Sequence, residues 1–467
     1  MENWKNLIHL FVTVFLSYFA SLVVNPTIAD VTMEAVCPGK DECSLAIYLA
    51  GFQQAIAGIG SVVVMPLIGY LSDTYGRKVL LTIPMTLSIL PFGTDIGCEK
   101  DNRVLLCVLR FEDFDSHGYR RGVLCLALSY LADNVSEGKR VSAFGLLSGV
   151  TAAATVCGTL VARLLPTTRI FQRQTYYEFS DANAIRFIIV VLVNQLAAVV
   201  AVVAAVYMKI FLKDTSTCQA DALEQPILKP ATETSETGNE SLKKTDLIKK
   251  IPLPKDIIRL LKSSVTVSLA SFIVFFNSLA EAGIQAFLMY YLKARFHFQK
   301  DQFADIWLIT YISATVSNMV LMPTLGPLLG EETLLCIGLF AGFLNMLLDS
   351  IAWAPWVPYG SAFLGIFLFL ASPSLRCIIS KQVGPYEQGI AQGSVMGITS
   401  FANVISPIIY SPLSALFLSD GAPFYFPGFS MLCVGLAWFV GFILSAMIKF
   451  QPLLSRDRAR SEPCLLA

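Results

Sequence analysis

The sequence predicts an all-α protein that crosses a lipid bilayer many times, built as two six-helix bundles. Three observations carry that expectation. Of 467 residues, 55% are hydrophobic and only 15% charged, against roughly a quarter charged in soluble domains, so the chain has too few charges to cover an aqueous surface. Apolar runs near the roughly twenty residues that cross a bilayer recur along it, six before a polar stretch near 213–258 and six after it. The pattern M-P-x-x-G-x-L stands at Met65–Leu71, closing the second run, and again at Met322–Leu328, closing the eighth. A repeat at corresponding places marks the halves as homologous copies related by a pseudo-two-fold axis.

The first run, Leu7 to Val24, follows Lys5 and is not followed by a small-residue cleavage site, so it reads as a retained span and not as a signal peptide. The loop beyond it, CPGKDEC, holds Cys37 and Cys43, a pair able to close a disulfide if that loop faces an oxidising side. The other cysteines lack paired CxxC spacing, so small apolar packing is their default role and no metal site is expected. Further spans are read at 45–71, 143–165, 187–212, 264–291, 304–324, 334–354, 358–380, 390–417 and 428–449. Val79–Phe92 and Gly122–Asn134 complete the twelve but fall short of a normal span.

Residues 93–121, GTDIGCEKDNRVLLCVLRFEDFDSHGYRR, separate these two short runs. They carry about a dozen charges, each costing several kcal/mol if exposed to lipid. Either the segment is pushed out as a loop, leaving the third and fourth helices shortened, or the sequence reflects an altered splice form. The second reading is preferred. The stretch at 213–258 is rich in Thr, Ser, Glu, Lys and Pro, a solvated linker unable to bury a core. The expected division is a bundle over 1–212, a cytoplasmic linker over 213–258, a second bundle over 259–450 and a cytoplasmic tail over 451–467.

Lys plus Arg and Asp plus Glu both number 34, which argues against a nucleic-acid partner. The bias is local. With the N-terminus inside, its tip and the loops at 72–78, 133–140, 206–263, 376–389 and 449–467 hold about 21 Lys and Arg, and the opposite loops about eight, so the positive-inside rule places both termini and the linker in the cytosol. No GxxxxGK[ST] phosphate loop occurs, which excludes an ATP-driven pump of that kind. No nucleophile–base pair or metal-ligand cluster stands at usable spacing, so the chain is not read as an enzyme.

Between the second and third runs lies GYLSDTYGRK, residues 69–78. Its fixed positions Gly69, Leu71, Asp73, Gly76, Arg77 and Lys78 resemble the G-x-L-x-D-x-x-G-R-K signature of the major facilitator superfamily. Two more stretches are similar to its tetracycline-resistance-like transporters and their eukaryotic relatives: SYLADNVSEGKRVSAFG at 129–145, which includes Asp133 and Arg140, and EQGIAQGSVMGITSFANVISPIIYS at 387–411, which opens on Gly389 and Gly393. The resemblance implies a cytoplasmic latch. Asp73 would cap the start of the eleventh helix, where Gly389 and Gly393 let backbones approach, and Arg77 would pair with Asp133 at the end of the fourth. A carboxylate suits the positive end of a helix dipole, and a guanidinium fork suits a carboxylate.

Within the bilayer an ionisable group is costly and usually functional. Glu281, in the seventh run, is the candidate for proton coupling, with Asn277 and Gln285 four residues to either side on the same helical face. Asn318, Asn345 and Asn403 are polar residues suited to a cavity or to helix–helix contacts, and His9 reads as an interfacial residue. The first run has Ser17 and Tyr18 where drug exporters carry an aspartate, and GTLVAR at 158–163 keeps the antiporters' glycine-proline motif only in part. The expectation is a monomeric secondary transporter of a small organic solute in the plasma membrane or an endomembrane, proton-coupled and without a cofactor. The alternative is a transport-inactive relative acting as a membrane interaction protein.

Overall fold

The computed structural model describes residues 4–36, 44–89, 112–164, 181–213, 262, 264–384, 387–418 and 422–461. These residues form helices and short connections, with no strand among them. In the first half the helices are α1 (Trp4–Val36), α2 (Ser44–Tyr75), α3 (Arg77–Leu87), α4 (Glu112–Asn134), α5 (Arg140–Leu164) and α6 (Asp181–Phe211). In the second they are α7 (Val265–Phe296), α8 (Lys300–Val316, continued through a π turn at Ser317–Leu321 into Met322–Leu329), α9 (Glu331–Ser350), α10 (Val357–Leu364, a 3₁₀ stretch at Gly365–Leu370, then Ala371–Gln382), α11 (Gln388–Leu418) and α12 (Phe429–Ser461).

Helices suit long apolar runs in lipid, because each satisfies its backbone N–H and C=O groups within one segment. Eight of the described helices are long and apolar enough to span a membrane, and Leu7–Val23 and Gln195–Phe211 are shorter apolar helices. Their outer faces carry large apolar side chains such as Ile59, Val63, Val199, Ile210, Phe272 and Ile408, all exposed, as lipid contact requires.

Local chemistry sets the helix ends. Gly76, with φ 95°, breaks α2 from α3 in a conformation that side-chain-bearing residues avoid. The Ser264 hydroxyl caps α7 by accepting from the Thr266 amide at 3.3 Å, and α7 ends on the left-handed His297. At the start of α8 the Gln299 amide donates to the Gln302 side chain at 3.0 Å, half of a capping box.

Two large cores form, one centred on the first half and joined by Leu334, Leu370, Cys377 and Met396 of the second, the other within the second half. The first joins Leu7, Leu10, Val14, Leu81, Met85, Leu126, Tyr130, Phe144 and Leu147. The second joins Ile273, Phe287, Tyr291, Leu339, Met346, Ile379, Met431 and Trp438. Met65 and Met322, the repeat's two methionines, are both buried in the first core, the latter reaching across from α8.

The structure corrects the sequence reading at two places. Glu112 to Arg121 form the first turns of α4, where a loop was one expectation. Arg376, assigned above to a cytoplasmic loop at 376–389, is a buried residue of α10, whose helix continues to Gln382. Residues 90–111, Cys37, Cys43 and the linker from 214 lie outside the described residues.

Candidate functional site

The halves meet along two seams, α2 against α11 and α5 against α8. At the end of the molecule that carries Gly76, the first seam is fastened by Asp73. Its carboxylate accepts from the backbone N–H of Gly389 at 2.9 Å and of Ile390 at 2.8 Å, so it caps α11 from the opposite half. These are the unsatisfied donors at a helix start, and the dipole there favours the negative charge. Asp73 also pairs with the Arg77 guanidinium.

Arg77 ties this carboxylate to the rest of the first half. Its Nε donates to Asp133 Oδ2 at the end of α4 at 2.9 Å, and its Nη1 donates to the Ser72 hydroxyl, which in turn donates to the Gly69 carbonyl at 2.7 Å. The Arg77 and Asp73 side chains are buried, 5% and 9% exposed, so the contact between them is little screened, while Asp133 stands at the surface. Lys78 is half-buried in the first turn of α3, and no ion pair joins it to a described residue.

Close backbone approach makes the capping distance possible. A Cβ on Gly69 would strike the Gly389 carbonyl and lie 3.2 Å from the Gly393 Cα; one on Gly393 would lie 2.6 Å from the Met65 carbonyl oxygen. Glycine at these positions therefore brings two helices to near backbone contact, the small-residue packing of membrane interfaces.

A further contact between the halves joins α5 to α10. Arg140, first residue of α5, donates to the Ser380 carbonyl of α10 at 3.2 Å and its hydroxyl at 3.4 Å. Ser380 also donates to Gln388 Oε1 at 2.6 Å, so Arg140 and Asp73 both act on the region where α10 passes into α11. Within the second half Lys381 pairs with Glu331 at 2.5 Å. This joins the start of α9 to the end of α10, as Arg77 and Asp133 join the start of α3 to the end of α4, with the charges exchanged.

Polar contacts also stand inside each half. Glu281 accepts from Asn277 Nδ2 at 2.8 Å, and Asn277 Oδ1 accepts from Trp438 Nε1 at 3.0 Å. Glu281 keeps accessible surface. Gln285 is exposed one turn further on. Asn345 donates to the Ser361 carbonyl, and Asn318 donates to the Ala314 carbonyl of its own helix at 3.0 Å. His9 Nδ1 lies 2.7 Å from the Tyr207 hydroxyl, joining α1 to α6. Replacing Trp438 with Phe should leave the buried Asn277 oxygen without this donor and cost roughly 1–2 kcal/mol, read as a lower melting temperature of the detergent-solubilised protein.

Sequence reasoning singled out none of Ser72, Ser380, Gln388, Arg121 or Arg376. The arginines carried a signal, a charge inside or beside an apolar run, but it was read as a boundary. The serines and Gln388 carried none, because these residue types are common at helix ends.

Two helical halves, fastened at one end and polar inside, define a transporter fold of the membrane. The chain belongs to the Major Facilitator Superfamily, whose sequence profile matches residues 10–407. It is similar to the Hippocampus abundant transcript 1 proteins of Mus musculus and Homo sapiens, 21% identical over 412 residues, covering 88% of this chain and 73% of each relative. Among solved structures it resembles the human organic anion transporter MFSD10 (TETRAN), with a TM-score of 0.71, 13% identity and coverage of 94% of this chain and 99% of that one. It also resembles the E. coli fucose:proton symporter FucP, with a TM-score of 0.66, 12% identity and coverage of 94% and 97%. At these identities the structural likeness is one of fold.

Proposed function

We propose that this protein is a secondary transporter that moves a small organic solute across a membrane by alternating access, with protons as the coupling ion. The observation that carries this reading is the Asp73 carboxylate capping α11 across the seam. Bonds made only between the halves stabilise one pose of a two-pose molecule, and a solute that prefers one pose shifts their populations. The moving bodies are residues 1–212 and 259–450, joined by a cytosolic linker over 213–258. The clasp end faces the cytosol together with both termini and the tail at 451–467. Glu281, beside Asn277 and near Gln285, is the group proposed to take and release the proton.

Purified protein in vesicles with an imposed pH gradient tests the proposal. A proton current that depends on an added solute and is lost in Glu281→Gln is the expected result. Folded protein that gives no such current with any of a broad range of solutes would instead be a transport-inactive relative acting through interactions.

A further inference from the structure

Two arginines inside the bundle, on opposite halves, are held by neutral groups. Arg121 of α4 donates through Nη1 to the Ser400 hydroxyl at 3.1 Å. With the Asn403 amide in the orientation that satisfies its neighbours, Arg121 Nη2 donates to Asn403 Oδ1 at 3.0 Å. Arg376 of α10, 9% exposed, donates to Gln392 Oε1 at 3.4 Å and to the Met396 thioether at 3.5 Å. A guanidinium has five donors, and a thioether is a weak acceptor. No ion pair joins either arginine to a described residue.

Arg121 lies deeper in the bundle than Arg376, whose partners Gln392 and Met396 stand four and eight residues into α11, about 6 and 12 Å at 1.5 Å per residue. Arg121 is twelve residues from Asp133 at the clasp end of α4, about 18 Å at 1.5 Å per residue. Ser400 is twelve residues into α11, at a matching depth of about 18 Å. Tyr18 of α1 is within electrostatic range of Arg120, Arg121 and Arg376, and its hydroxyl donates to the Arg120 carbonyl at 3.2 Å. Glu281 is within range of Arg376 and is the described carboxylate at this depth facing it. Positive charge is therefore in excess, and a buried charge without a counter-charge is costly enough to need a reason. One polar atom beside Arg376 is also buried and without a partner: Gln392 Nε2, on the side chain whose oxygen meets Arg376.

We infer that Arg121 and Arg376 form a binding site for an organic anion, whose carboxylate, sulfonate or phosphate group bridges the two halves and accepts from these guanidiniums and from the Gln392 amide. This names the solute class and rests on the transporter reading above. An anion supplies both the missing charge and the missing acceptor, whereas a cation would meet the same guanidiniums repulsively. Because one arginine belongs to each half, the bound anion bonds both bodies and biases the equilibrium between poses.

Matched probes of one shape and different charge test the site: benzoate, benzenesulfonate and phenyl phosphate against neutral benzamide and cationic benzylamine. Melting of the full-length protein in detergent is followed with each. At least one anion should raise the melting temperature while benzamide and benzylamine do not. Arg376→Gln and Arg121→Gln should each weaken the anion's apparent affinity on the order of ten- to a hundred-fold, with Arg376→Lys retaining part of it. If Arg376→Gln lowers the melting temperature without ligand, the half-buried Arg121→Gln and the Arg376→Lys variant carry the comparison. The inference is overturned if no anion has an effect, if a neutral or cationic probe stabilises equally, or if the anion's effect survives Arg121→Gln and Arg376→Lys unchanged. Binding in detergent needs no gradient, so anion binding without flux in vesicles defeats the transporter reading alone, and flux of benzylamine without anion binding defeats this inference alone.

Discussion

Asp73→Asn should abolish transport while the protein still inserts and folds. The substitution keeps the shape of the side chain and removes its charge. One amide oxygen can still accept from Gly389 or Ile390, but the amide nitrogen then points a donor at a donor, and Arg77 loses one of its two carboxylates. Hydrogen bonds to a charged group contribute roughly 1.5–3 kcal/mol each, so losing one shifts the balance of poses on the order of ten- to a hundred-fold. Flux in vesicles should fall to background. Spin labels at Thr74→Cys and Glu387→Cys, on the two sides of the seam, should report a longer separation than in the parent. Normal flux by Asp73→Asn would remove the clasp from the mechanism.

Gly69→Ala should have an equal effect by a different route. The added methyl would fall on the Gly389 carbonyl and within 2.8 Å of its carbonyl carbon. Backbone on both sides leaves nothing flexible to yield, so the helices must part. Because Gly69→Ala and Asp73→Asn open the same seam, the double variant should be no worse than either single one, the non-additivity expected of coupled sites. The comparison residue is Gly326 on the other seam, where an added Cβ meets side-chain ends, Val141 Cγ1 at 2.9 Å and Ser142 Oγ at 3.6 Å. These side chains can yield by a few tenths of an ångström where backbone cannot, so Gly326→Ala should retain measurable flux. A Gly69→Ala protein as active as Gly326→Ala would show that backbone contact at Gly69 is not needed for closure.

Much of the fold was legible because lipid imposes a simple rule: a span must be apolar and helical, and both properties are written in the sequence. The repeat of M-P-x-x-G-x-L added the two-fold arrangement. The residue types of the clasp could also be read, since Asp73 and Arg77 stand out in an apolar chain. Their neighbours could not, because Ile390 contributes only its backbone N–H and Ser72 resembles any serine near a helix end. Arg376 was misplaced for a physical reason: hydropathy treats a charge at the edge of an apolar run as the edge of the membrane, yet α10 continues past it with Arg376 turned inward. Arg121 was hidden in the same way inside a dense group of charges, where sequence alone does not tell a face turned to the interior from a loop. The π turn at Ser317–Leu321 and the 3₁₀ stretch at Gly365–Leu370 leave no mark that hydropathy detects.

The register of the repeat has a consequence for how the molecule parts. Asp73 follows Met65 by eight residues, and eight residues after Met322 stands Gly330, which has no side chain with which to cap α5. One edge is thus locked by two carboxylate–backbone hydrogen bonds that release together, while the other, where Met319 and Met322 rest on Gly149 and Gly145, is lubricated by soft thioethers. The opening stroke should be lopsided, a latch springing on one side before the other slides, so that the solute's doorway forms first between α2 and α11.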